Sequence, residues 1–184
     1  MSTSLIYHAF GVHGYQYVRT FYKKGKIFFV VQTHPSQIRC PECDSRRVIR
    51  KGAQTRHLKT LPIGKKQVVL VTIIQRIRCL ECQCVKQVKL GLADPKKSYT
   101  LAFARYVLEL LRFSTIQDVA HHLGVSWDTV KEIQKKYLIK HFSKPKLTNL
   151  THIAVDEISI GKRHKYITLV LDLKSGAVVF IGDG

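Results

Sequence analysis

Acidic residues are scarce in this chain of 184 residues: 12 Asp plus Glu stand against 31 Lys plus Arg, leaving a formal net charge of +19 at neutral pH. A balance so far to one side excludes an indifferent partner and predicts a polyanion. Nucleic acid is the commonest polyanion for a basic protein, because each Lys or Arg that meets a phosphate releases condensed counterions. An anionic membrane surface is the competing reading. Long apolar runs are also missing. The longest, Ile27 to Val31 and Val68 to Ile74, fall far short of the roughly 20 residues a membrane span needs. The opening MSTSLIYHAFGVHGYQYVR has no basic segment leading into an apolar stretch and a small-residue cleavage site, so no secretion leader is expected. A cytoplasmic protein with reduced cysteines follows as the expectation. Internal repeats and low-complexity segments are absent too.

What is present reads as several small modules in line, an α+β arrangement. Residues 5 to 31 alternate apolar and polar side chains around Lys24-Gly25-Lys26, which predicts two strands and a turn. Gln54 to Leu61 and the Val- and Ile-rich Gln67 to Arg78 flank Pro62-Ile63-Gly64 and predict a second strand pair. Residues 1–95 are thus read as a β lead-in and a small β-rich domain. From Leu101 to Phe113 apolar residues recur at three-and-four spacing, with Thr100 placed to cap the helix. Lys140 to Asn149, containing Pro145, suits a linker, and Ile153 to Val155, Lys165 to Leu173 and Ala177 to Ile181 turn strand-like again, with Gly176 at the last turn.

Cys40-Pro41-Glu42-Cys43 and Cys79-Leu80-Glu81-Cys82 are two C-x-x-C pairs separated by 35 residues. Two residues between the cysteines let both sulfurs face one point about 2.3 Å from a metal, and the two pairs supply the four thiolates of a closed structural zinc site. The separation exceeds the usual ribbon spacing of up to about 20 residues, but a strand pair between the knuckles can return the chain to the metal. Disulfides or redox thiols are the alternative; the absence of a leader and of a thioredoxin-like pattern favours Zn2+ bound by Cys40, Cys43, Cys79 and Cys82. Cys84 could replace Cys82, and Cys82 is the expected ligand. Arg46 and Arg47 after the first knuckle, with Arg50, Lys51, Lys65, Lys66, Arg76 and Arg78, put positive charge around the site and suggest phosphate contact.

Residues 98–140 read as a helix-turn-helix. Ser114-Thr115-Ile116-Gln117 has the S-x-x-Q form of a capping box, predicting that Ser114 starts a helix running to about His122. Leu123-Gly124-Val125 predicts a tight turn with Gly124 left-handed, after which Ser126 caps a second helix to about Tyr137. Val119, Ala120 and Leu123 are expected to pack against Val130 and Ile133. If the second helix enters a major groove, Trp127, Asp128 and Lys131 lead the contacts, with Glu132 and Lys135 behind and Ser126 donating to phosphate. An ordinary helical hairpin, with Trp127 in its core, is the bland alternative. Asp156 follows the apolar run Ile153 to Val155, with Glu157 on the other face of the strand; alone, a solvated strand carboxylate is its ordinary meaning.

The ordered set of CPEC, the LPIG turn, RCLEC, the helix-turn-helix and HIAVDEISIGKRHKYITLVLDLKSGAVV resembles the ISL-three family of insertion-sequence transposases. The resemblance implies that the zinc module and helix-turn-helix bind double-stranded DNA at the element's terminal repeats. It also implies that residues 150–184 open an RNase H-like domain whose DDE carboxylates cut and join strands. Asp156 matches the first triad position; Asp172 and Asp183 match none. Strand transfer of this kind uses two divalent ions, Mg2+ or Mn2+, roughly 4 Å apart, and the sequence stops at Gly184 before a second Asp or the Glu could appear. The expectation is an incomplete catalytic domain, inactive alone, in a chain that binds DNA and meets either a second copy or an intact transposase. A repressor that occupies the terminal repeats is the alternative, and a zinc-containing RNA-binding protein the more distant one.

Overall fold

A computed structural model describes residues 5–144, 147–161 and 165–183. Pro145 of the expected linker, His164 of the HKY segment, Gly184 and the first four residues of the stretch read for a leader lie outside them. The chain divides into two compact units, Met1–Ile133 and Gln134–Gly184.

The first unit is built on a five-stranded sheet. β1 (Tyr15–Lys23) and β2 (Lys26–Thr33) form a hairpin. Its two-residue loop, Lys24 and Gly25, holds both residues at positive φ, 49° and 73°, the backbone that matches the twist of the flanking strands. β3 (Val48–Ile63) and β4 (Lys66–Cys79) form the second, longer hairpin, and β5 (Val85–Gln87) pairs with the far end of β4. The order is β1-β2-β4-β3, with β2 and β4 parallel. The central position of β4 explains its composition: Val68, Leu70, Val71, Thr72 and Ile74 are all buried, as a strand covered on both faces requires. Pro62, which cannot donate to a ladder, sits where the β3 register shifts between Thr60 and Ile63.

The expected β start at residue 5 is corrected. Leu5–Phe10 is a helix, α1. Ile6 and Phe10, four apart, lie on one helical side and enter a core cluster with Ile27, Val31, Leu58, Val68 and Leu70. The apparent alternation of Leu5, Tyr7 and Ala9 lost to the gain from covering a sheet face. Gly11, at φ +64°, ends the helix.

Three helices complete this unit and carry the chain beyond it: α2 (Leu101–Leu110), α3 (Ile116–Leu123) and α4 (Trp127–Phe142). Thr100 caps α2 as expected, accepting the Phe103 N–H at 3.1 Å. The helix stops three residues before Phe113, which is 76% exposed. The cap of α3 is Thr115 rather than Ser114: its Oγ1 accepts the Asp118 N–H at 3.2 Å and donates to the Asp118 carboxylate at 2.6 Å. The box is therefore T-x-x-D, one residue later, and its carboxylate sits at the positive end of the helix. α4 begins with Ser126 accepting the Thr129 N–H at 3.3 Å and continues five residues past Tyr137, since no Gly or Pro interrupts the chain before Pro145. Val119, Ala120 and Leu123 of α3 share one buried cluster with Val130 and Ile133 of α4 and Phe103 and Val107 of α2, as anticipated.

In the second unit β6 (Ile153–Gly161), β7 (Lys165–Asp172) and β8 (Val178–Asp183) form an antiparallel sheet in that order. Asp172 ends β7 and organises the turn, its carboxylate accepting the Lys174 N–H at 3.1 Å and the Ser175 N–H at 3.3 Å. These bonds and the Ser175 hydroxyl favour the charged form, and the hydroxyl is the first cause of a pKa below the usual aspartate value.

Candidate metal centre and nucleic-acid interface

The two C-x-x-C segments adopt the same local structure. In the first, the Cys40 N–H donates to the Ser45 carbonyl at 2.9 Å; in the second, the Cys79 N–H donates to the Cys84 carbonyl at 3.0 Å. The residue after each second cysteine is left-handed, Asp44 at φ 57° and Gln83 at φ 58°, a conformation that costs a non-glycine residue about 1 to 2 kcal/mol. Each is held there by the arginine that precedes its knuckle: Arg39 donates to Asp44 at 2.9 Å and Arg78 to Gln83 at 3.0 Å. An arginine precedes both knuckles in the sequence, but its hold on the residue after the second cysteine is not implied by the cysteine spacing. The Leu80 N–H donates to the Arg47 carbonyl at 2.9 Å and ties the two knuckles together.

This arrangement aims backbone N–H groups at sulfur. Cys40 accepts from Cys43 and Glu42, and Cys79 from Cys82 and Glu81. Cys43 accepts from Ser45, and Cys82 from Cys84. The sulfurs of Cys40, Cys43, Cys79 and Cys82 all lie within 4.8 Å of one another; Cys40 and Cys82, Cys43 and Cys79, and Cys43 and Cys82 are each 3.5 Å apart. Four thiolates bound at about 2.3 Å in a tetrahedron would stand about 3.8 Å apart, so the donor set fits zinc in number, type and spacing. The electrostatics agree. The Cys43 amide is the main influence bringing the Cys40 thiol down to about 6. The Ser45 amide favours the Cys43 thiolate, yet burial and the sulfurs of Cys79, Cys82 and Cys40 outweigh it and push Cys43 up to about 12. Sulfurs this close cannot all ionise unless a cation compensates them.

Around the knuckles Ile38 and Ile77 are buried with Cys40 and Cys79, and Val48, Cys84 and Val88 pack on them. Arg46 and Arg47 are exposed beside the first knuckle, as are Arg50, Lys51, Lys65, Lys66, Arg76 and Arg78 along the strands. Glu42 is engaged by Lys86 at 2.5 Å, and the Lys86 hydrogen bond is the first cause holding its carboxyl below the usual range.

On the helices, Ser126, Trp127, Asp128, Lys131 and Lys135 are all exposed. The Lys131 ammonium sits 4.6 Å from the Trp127 ring centre, a cation–π contact that stiffens both side chains. Glu132 is instead paired with Lys97. The turn before α4 rests on Gly124, left-handed at φ +58°, and on two side chains that sequence reading did not single out. Lys59 Nζ donates to the Gly124 carbonyl at 2.6 Å and Gln67 Nε2 to the Leu123 carbonyl at 3.5 Å. A Cβ on Gly124 would fall on Gln67 Nε2. Buried Thr100 donates to Thr60 at 3.1 Å, and the Thr100 N–H to the Lys59 carbonyl at 2.9 Å, so β3 also holds the α2 cap. Only a polar residue on a strand bordered by apolar ones hinted at Thr60 and Gln67.

Asp156 lies on β6 opposite Leu169, exposed, its carboxylate accepting the Glu157 N–H at 2.8 Å. Among the described residues, the cysteine set is the one group of three or more His, Cys, Asp or Glu whose donor atoms converge on a common point. Among the described residues, no helix is long and apolar enough to cross a membrane.

A family model described as the helix-turn-helix domain of transposase family ISL3 matches residues 88–138. A second, described as the zinc-finger of transposase IS204/IS1001/IS1096/IS1165, matches residues 36–82. The transposase for insertion sequence element IS1001 of Bordetella parapertussis is 29% identical over 145 residues, covering 79% of this chain and 36% of that protein. The transposase for insertion sequence element IS1557 of Mycobacterium tuberculosis (strain ATCC 25618 / H37Rv) is 27% identical over 135 residues, 73% of this chain and 30% of its own length. This chain thus spans about a third of the length of these curated relatives. No solved structure matches it.

Proposed function

Since the chain belongs to the ISL3, or ISL-three, family of transposases, we propose that it binds double-stranded DNA at the terminal repeats of an insertion sequence. Zn2+ on Cys40, Cys43, Cys79 and Cys82 supports the β-rich module. The observation that carries the reading is the presentation of α4. Ser126 just before it, and Trp127, Asp128 and Lys131 in its first turns with Lys135 a turn further, are all exposed. The turn before them is fixed by Gly124 and by two side chains of the sheet. A helix delivered N-terminus first with exposed polar and cationic side chains is what major-groove readout requires. Arg46 and Arg47 would add phosphate contacts, which position the protein without reading sequence.

Zinc here is structural: with four protein sulfurs around it, no coordination position remains for a substrate. The strand-joining step would belong to a longer transposase. In that reading β6, β7 and β8 open an RNase H-like domain and Asp156 is the first of its metal-binding carboxylates. The antiparallel order of the three strands and the exposed place of Asp156 support it.

The test is salt-dependent binding of the zinc-loaded chain to the terminal repeats of a related element against a shuffled duplex of equal length. Preference for the repeat, weakened for every duplex by Arg47→Ala and reduced in selectivity by Lys131→Ala, is the expected outcome. Equal affinity for both duplexes would sink recognition of element ends and leave only charge.

A further inference from the structure

The fifth cysteine belongs to the cluster without belonging to either knuckle. Cys84 Sγ lies 3.4 Å from Cys40 Sγ and 3.4 Å from Cys82 Sγ, as close as the four converging sulfurs lie to one another. It is half-buried and packs with Cys40, Ile77 and Cys79. The matching place in the first knuckle is Ser45. Each of the two donates its backbone N–H to the knuckle's second cysteine and offers its carbonyl to the first. The backbone task is thus done by a serine on one side and a cysteine on the other, so the fold does not demand a thiol at position 84. The Ser45 side chain is used locally, accepting the Arg47 N–H at 3.0 Å. That of Cys84 is turned toward other sulfurs.

We propose that Cys84 is a reserve zinc ligand that takes the place of Cys82. In the resting centre Cys82 is the ligand, because it receives the Cys84 N–H as Cys43 receives that of Ser45. Cys82 is also exposed, whereas Cys40 and Cys79 are buried. The exchange moves little. The backbone of Cys84 is held by the Cys79 N–H and by the pairing of Val85 with Arg78, so two side chains rotate and no strand is broken. The Cys84 sulfur–zinc bond forms as that of Cys82 breaks. The proton leaving the Cys84 thiol ends on the Cys82 sulfur, and no electron is transferred. The count of thiolates on the metal stays at four, and the centre survives loss or capping of Cys82, one of its two exposed ligands.

This inference rests on the zinc reading above, and the test separates the two. The full chain is prepared as wild type, Cys82→Ala, Cys84→Ala and the double variant, each loaded with zinc and, separately, with cobalt(II). Wild type and both single variants are expected to hold about one metal per chain and to show the absorption of tetrahedral cobalt on four thiolates. The double variant should lose that spectrum and bind zinc at least about a hundredfold more weakly. A Cys82→Ala chain with a three-thiolate cobalt spectrum, or no metal, would overturn the inference while leaving zinc in place. A wild type that takes up no zinc would overturn both. Zinc-loaded wild type gives a second reading independent of any variant's folding. Under limiting iodoacetamide, singly alkylated chains that keep their metal should carry the label on Cys82 in some molecules and Cys84 in others. Label confined to Cys84 would show that it never enters the centre.

Discussion

Residues 5–133 and residues 134–183 both form regular elements, yet only the first set buries them. Unit one holds three buried clusters, with Val31, Leu58, Leu70, Val107 and Val130 sealed from solvent. Among the described residues of unit two none is buried, and Val155, Ile153, Phe180 and Ile181 are between 53% and 61% exposed. The β6, β7 and β8 ladders are nevertheless regular over most of their length. Strand pairing and core formation are therefore separable. An apolar, β-branched sequence suffices to order a ladder, but about 25 cal/mol per Å2 is gained only where a second layer removes apolar surface from water.

Metal removal should give the largest contrast between the units. Chelation of zinc is expected to raise hydrogen-exchange rates of the amides around Val48, Ile77 and Val85 at least about a hundredfold and to leave residues 153–172 unchanged. Equal insensitivity of both regions would show that the knuckles hold without a metal. Next in size is core truncation. Leu70→Ala, at a fully buried position, should cost about 2 to 5 kcal/mol in urea unfolding, and Val155→Ala, 61% exposed, no more than about 0.5 kcal/mol. Similar losses at both sites would erase the distinction.

A third effect lies inside unit one, at the turn that delivers α4. Gly124→Ala combines a positive φ with a collision against Gln67 and should cost at least about 1 kcal/mol, read by thermal unfolding, with weaker DNA binding beside it. A neutral result would mean that the sheet does not fix this turn. The smallest contrast concerns one residue of register. Thr115→Ala should destabilise by about 1 kcal/mol, and Ser114→Ala by no more than about 0.5 kcal/mol. The reverse order would restore Ser114 as the cap.

Much of this was legible in the chain. Thr100, Gly124 and Ser126 announce helix ends because capping is a local matter of a side-chain oxygen or a missing Cβ. The apolar spacing of Val119, Ala120, Leu123, Val130 and Ile133 announces the packed helix pair because one turn of helix fixes which side chains share a face. Leu5–Phe10 was not legible, since six residues carry too little periodicity to separate a helix from a strand, and the sheet face awaiting Ile6 and Phe10 decided. Ser114 and Thr115 both satisfy a capping pattern, and the geometry of Asp118 chose between them.

The sequence by itself determined charge, the cysteine pairs and the order of the longer strands and helices, because these depend on composition and on neighbours a few residues away. Only the tertiary structure decided that Lys59, Thr60 and Gln67 of the sheet grip the Gly124 turn and the Thr100 cap. It alone set Cys84 against Cys40 across 44 positions. Contacts between distant segments come from the path of the folded backbone, which no local pattern records.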